Sequence, residues 1–172
     1  MSRRRIAVLV AAAAAVLVAA ATGAVPTGAQ GTHDLHGLHV VTARYHSIAQ
    51  AEKADYTPFG GCFESADGGM GQHYVNNALV DSTVDPLRPE ALVYEVRDGS
   101  LQLVAVEWLI PAPADAAERA ALAPTMPALY GHQLHDAFPV PFFVLHAWVW
   151  RDNPSGTFAD YNPHVGACPA AP

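Results

Sequence analysis

Hydrophobic positions in this chain change their spacing several times, and each spacing predicts a different element. Arg3, Arg4 and Arg5 precede an unbroken apolar run from Ile6 to Ala21, followed by small and turn-forming residues from Thr22 to Ala29. A basic start, an apolar middle and a small-residue exit are the layout of a secretory signal peptide, and the run is shorter than the ~20 residues that span a bilayer. The expected division is therefore a signal peptide at 1–29 and one secreted globular domain at 30–172. From Leu38 onward, Leu38, Val41, Tyr45, Ile48 and Ala49 recur at intervals of three and four, which predicts an amphipathic helix ending before Pro58. A glycine-rich stretch follows, with Gly60, Gly61, Gly68, Gly69 and Gly71, and reads as a loop leading into a first strand opened by His73-Tyr74-Val75.

Beyond that loop the pattern is that of strands. Leu92 to Val96 and Leu101 to Ile110 are rich in Val, Leu, Tyr and Trp and flank Asp98-Gly99, which predicts an antiparallel hairpin. Asp115 to Leu122, bounded by Pro113 and Pro124, predicts a short helix. Phe142 to Trp150 is the longest strongly apolar run after the signal segment and reads as a central strand, stopped by the turn residues Asn153-Pro154-Ser155-Gly156. The tail from Thr157 to Pro172 reads as irregular. One helix followed by hairpin-connected strands predicts an α+β domain, with the N-terminal amphipathic helix packed on an antiparallel sheet. A cupin-like β-barrel or jelly roll is the alternative.

Charge narrows the partners. The 172 residues carry 9 Lys and Arg against 16 Asp and Glu, and removal of the three signal arginines would take the formal net charge from −7 to −10. Such a surface repels phosphate backbones and anionic lipid, so neither nucleic acid nor membrane is an expected partner of the mature domain. Histidine is its commonest basic residue, since all 9 histidines remain and Lys53 is the one lysine. Cys62 and Cys168 in an exported chain predict a disulfide.

Candidate chemistry rests on polar residues placed on apolar faces. Side chains alternate across a strand, so His146 falls with Phe142, Val144, Trp148 and Trp150, and Glu107 falls with Leu101, Leu103, Ala105 and Leu109. A buried imidazole or carboxylate needs a partner, and two imidazoles with a carboxylate are ligands that zinc and copper favour. The expected metal set is His73, Glu107 and His146, with His132 as fourth ligand and His135 as its competitor. Tyr74, Trp148 and Trp150 are the expected wall of a ligand pocket. Serine catalysis has no Gly-x-Ser-x-Gly elbow to support it, and oxidised cysteines supply no nucleophile. A glycosidase pair of Glu95 and Glu107 is disfavoured because alternation puts them on opposite sides of the sheet.

As a set, Gly69-Met70-Gly71-Gln72-His73-Tyr74-Val75-Asn76, Pro89-Glu90-Ala91-Leu92-Val93-Tyr94-Glu95, Val106-Glu107-Trp108, and the blocks from Leu145-His146 through Asn153-Pro154-Ser155-Gly156 to Asn162-Pro163 and Cys168 resemble a family of secreted bacterial proteins without an established activity. The resemblance spans about Thr42 to Cys168 and implies that His73, Glu107 and His146 occupy signature positions. Pro89 to Tyr94, with Asp98-Gly99-Ser100 and Leu101 to Val106, also resembles the first motif of the metal-binding cupins. The cupin His-x-His is missing here. The functional expectation is a secreted domain that binds a divalent metal, zinc or copper, or a small ligand. Its alternatives are a metal-free binding module with an aromatic pocket and a metal-dependent hydrolase or oxygenase.

Overall fold

Where the spacing predicts one helix, the chain forms three helical pieces: α1 (His33–Thr42), a 3-10 turn (Ala43–His46) and α2 (Ile48–Lys53). The break falls at Ser47, whose backbone is extended at φ −89° and ψ 111°. Its physical cause lies beneath it: the Tyr94 hydroxyl donates at 2.7 Å to the carbonyl of Tyr45, which a continuous helix would use in its own ladder. Leu38, Thr42, Tyr45 and Ala51 are the residues these pieces bury. This computed structural model describes residues 33–137 and 139–166, so the expected signal peptide and Cys168 lie outside the described residues. Among the described residues, no helix is long and apolar enough to cross a membrane.

The remaining elements are β1 (Thr57–Ser65), β2 (Gly68–Val75), β3 (Ala91–Arg97), β4 (Ser100–Pro111), α3 (Ala116–Leu122), the short strands β5 (Ala128–Leu129), β6 (His132–Gln133) and β7 (His135–Asp136), and β8 (Phe142–Ala147). Six of the strands form one antiparallel sheet in the order β1-β2-β3-β4-β8-β7, curled into a half-barrel. The curl is visible in side chains: Phe59 of β1 and Phe142 of β8, at positions one and five in that order, bring their rings to 5.7 Å. The architecture is thus α+β, and the edges β1 and β7 are not paired with each other among the described residues.

The hairpin expected at Asp98-Gly99 is there, with positive φ at both residues (52° and 73°), as a two-residue turn matched to strand twist requires. The helix expected after Pro113 is α3, capped by the Asp115 carboxylate, which accepts from the backbone N–H groups of Ala117 and Glu118. Two expectations need correction. Residues 57–65 and 68–71, read as a glycine loop, are strands; Gly69 stands in β2 because the tail crosses it there, paired with Asn162, and a Cβ on Gly69 would lie 2.7 Å from the carbonyl oxygen of Gly166. The run from Phe142 leaves the sheet at Ala147, and β8 is flanked on one side only by the two-residue β7.

One irregularity decides which face carries the polar residues. Val93 pairs with Ala105 while Tyr94 pairs with Leu103, so Val104 is an extra residue in β4, a β-bulge. Leu103 therefore faces the core shared with the helices, alongside Val106 and Trp108, whereas Ala105, Glu107 and Leu109 face the opposite side. Alternation without the bulge would have put Glu107 with Leu101 and Leu103, and Glu95 on the other face. The bulge brings Glu95 and Glu107 to the same side, but Glu95 faces Arg97 and Arg151 at 3.4 and 3.8 Å rather than the cluster described below.

At the far end of β3, the buried Glu90 carboxylate accepts from the backbone N–H of Leu109 at 3.1 Å. Burial, reinforced by Asp81 and Asp85, outweighs that bond and pushes its carboxyl from the ordinary 4.5 up to about 7. The folded protein then holds a proton that the unfolded chain releases across that interval, so this group's contribution to stability falls as pH rises through it. Urea unfolding is expected to show Glu90→Gln gaining about 2 kcal/mol over wild type at pH 8 and nothing at pH 4, after allowance for solvent screening. Equal stabilities at both pH values would refute the assignment.

Candidate metal centre

Three strands of the one sheet carry the polar residues of the bulge face. His73 lies on β2, Glu107 on β4 and His146 on β8, and Glu107 sits directly opposite His146 in the β4–β8 register. His73 pairs with Val93, and Ala91 pairs with Glu107, so β3 contributes only Ala91 and Val93 between the two polar residues. Those small side chains and the curl of the sheet let His73 reach diagonally across β3. Its Nε2 comes to 3.4 Å from Glu107 Oε2, while His146 Nδ1 lies 3.8 Å from Glu107 Oε1. The carboxylate thus stands between two imidazoles, and the three potential ligand atoms all lie within 4.8 Å of one another.

Water is largely excluded from this group. His73, Glu107 and His146 are 4%, 5% and 0% exposed. The Phe63 ring meets His73 edge-on at 5.3 Å, and the Trp148 ring lies 4.7 Å from His146, fixed by its indole N–H to the carbonyl of Ala159. Burial, opposed by Glu107 and aided by His146, lowers the His73 pKa and favours its neutral form. Burial alone would raise Glu107, but the two imidazoles outweigh it and hold the carboxyl below its ordinary range. The result is an ionised carboxylate beside an imidazole that prefers to be neutral, which is the protonation state metal ligands require.

The satisfaction of these groups is incomplete. Nδ1 of His73 and both ring nitrogens of His146 are buried without a hydrogen-bond partner among the described residues. Leaving a buried polar atom unpaired costs about 1–3 kcal/mol, and structures seldom tolerate several in one place without a ligand, ion or water. Two imidazoles and a carboxylate with an unmet nitrogen could hold a metal ion.

A cavity of about 350 Å³ opens beside the cluster. His73 and Glu107 line it, whereas His146 lies behind them under Trp148. Its wall is mainly hydrocarbon, including Phe59, Met70, Leu109 and Val144, and its polar side holds His135 and Asp160, joined at 3.1 Å. That hydrogen bond raises the His135 pKa; burial would raise Asp160, but His135 outweighs it and keeps it ionised. Arg119 secures the wall by pairing with Asp136 and donating to the carbonyls of Val140 and Phe142.

No protein-family model matches this chain, and no curated protein or solved structure is significantly similar to it.

Several expected site residues therefore stand elsewhere. His132 is exposed on β6 and stacks on Phe158 at 4.1 Å, so it is not a fourth member of the cluster; the short β5–β6 hairpin carries it away from the sheet face. Its competitor His135 borders the cavity, although paired with Asp160. Tyr74, next to His73 in β2, faces the opposite core and packs on Tyr94 at 5.1 Å. Trp150 was expected beside Trp148, but the backbone turns tightly where the Val149 N–H bonds to the Ala147 carbonyl. Trp150 then packs against His39 and His46 and donates to the Thr42 hydroxyl on the helix side. Sequence reasoning missed Phe59, Phe63 and Asp160. Phe59 and Phe63 lay in the misread glycine stretch, and Asp160 in a tail without periodicity.

Proposed function

We propose that this is an exported protein that binds one divalent metal ion, zinc or copper, through His73, Glu107 and His146. The reading is carried by one observation: a buried set of two imidazoles and a carboxylate whose ligand atoms lie within 4.8 Å of one another, with neither ring nitrogen of His146 hydrogen-bonded. Neutral imidazole and carboxylate suit zinc and copper, and three protein ligands leave a coordination position for a further group. That position faces the cavity, because His73 and Glu107 border it while His146 and Trp148 close the other side. Rigid strands hold all three side chains, so little ordering is needed on binding.

Export is supported by the basic-apolar-small layout of residues 1–29. A Cys62–Cys168 disulfide fits the same compartment. Cys62 on β1 lines a small cavity together with Val165 and Gly166, two residues short of Cys168.

Chelator-treated protein titrated with zinc or copper in a calorimeter is expected to take up one equivalent. The binding should release protons or none according to buffer pH, and loading should raise the melting temperature in proportion to the logarithm of free metal. Uptake that is equally strong in His146→Ala, or uptake only at several weak sites, would refute the assignment.

A further inference from the structure

The cavity's lining and the charge of the centre together define the class of ligand it accepts. A divalent ion held by one carboxylate and two neutral imidazoles carries a net charge of +1, so its open position favours a single anionic oxygen donor. The neighbouring charges do not alter that balance: His135 is paired with Asp160, and Arg119 with Asp136. Beyond the polar end the wall is hydrocarbon, with Phe59, Phe63, Met70, Leu109, Phe142 and Val144 around the space. About 350 Å³ is at the small end of ligand cavities, which run from about 300 to 1,000 Å³.

Resting on the metal-binding reading above, we infer that this cavity takes a small monoanion with a hydrocarbon body, such as an aryl or branched-alkyl carboxylate or hydroxamate. Its anionic oxygen occupies the position facing the cavity beside His73 and Glu107. Its hydrocarbon body lies against Phe59, Leu109, Phe142 and Val144. Short polar anions fill the metal position but leave the apolar wall uncovered, and long-chain or dianionic ligands exceed the space or the charge. Selectivity therefore comes from the wall rather than from the metal.

The test compares benzohydroxamate with acetohydroxamate, which share a head group and differ only in the hydrocarbon body. On metal-loaded wild-type protein, calorimetry is expected to show benzohydroxamate binding at least about tenfold tighter, from burial of its ring. In Phe142→Ala, which removes a half-buried ring from the wall and none of the three ligands, metal content should persist while that preference shrinks toward equality. If metal loads but the two hydroxamates bind alike, the ligand class is wrong and the metal centre stands. If benzohydroxamate binds chelator-treated protein as tightly as metal-loaded protein, the proposed orientation is wrong. If no metal loads, the metal reading itself falls, and the inference with it.

Discussion

In Glu107→Gln, metal affinity is expected to fall by at least about 100-fold while the fold persists. Second-layer partners of metal ligands already cost 10- to 100-fold when removed, and Glu107 is a direct ligand in this account and the one anion among the three. It is also the residue that both imidazoles face, at 3.4 and 3.8 Å. Gln keeps the shape of the side chain, so the packing against Ala91 and Val93 is preserved and no cavity opens. The neutral amide removes the charge that offsets the ion and leaves one oxygen where there were two. A competition titration against a chromophoric chelator, with circular dichroism to follow the fold, measures both halves. Wild-type affinity in the variant would mean that the carboxylate is a structural partner of the histidines and nothing more.

The second large effect concerns the backbone that aims His73. Gly71, two residues before it in β2, has φ +97°, and a Cβ there would sit 2.6 Å from the carbonyl oxygen of Tyr94 on the neighbouring strand. Gly71→Ala must therefore adopt a disfavoured conformation and also push β2 away from β3. The expected cost is about 3 kcal/mol, equivalent to a melting temperature lower by on the order of 10 °C for a domain of this size. Gly99→Ala is the control. It shares a positive φ of 73°, but nothing lies within 4 Å of its added Cβ, so about 1 kcal/mol is expected from turn strain alone. Equal losses in the two variants would show that backbone strain dominates and that the close approach to Tyr94 carries no cost. Metal uptake should weaken in Gly71→Ala and stay unchanged in Gly99→Ala.

These two residues also show where the sequence was legible. Glu107 and His146 stand out because each is an ionisable group in an apolar run, and burial of such a group demands a partner whatever the topology, whereas His73 is marked only by opening a strand beside the glycine stretch. The hairpin at Asp98-Gly99 and the helix capped by Asp115 are equally local, because their signals lie within a few residues. The face on which Glu107 emerges is different. Period-two counting runs through Val104 without a signal, since a β-branched residue looks the same inside a bulge as inside a regular ladder. The structure brings His73, Glu107 and His146 together, but one of the reasons for grouping them, the alternation of β4, did not hold. Gly68 and Gly69 were legible as special positions but not as strand, because what they accommodate is the tail at 162–166, about ninety residues later. Trp150 and His132 failed for the same reason. Each depends on where a tight turn or short hairpin redirects the chain after a regular element ends.

The central claim is that one ion sits among His73, Glu107 and His146. Anomalous diffraction recorded on either side of the absorption edge of the bound metal, from crystals of untagged protein prepared without chelator, tests it most directly. The account expects a single strong peak about 2.0–2.2 Å from an imidazole nitrogen of His73, a carboxylate oxygen of Glu107 and an imidazole nitrogen of His146. Strong peaks confined to exposed histidines such as His132, with none between these three side chains, would contradict it.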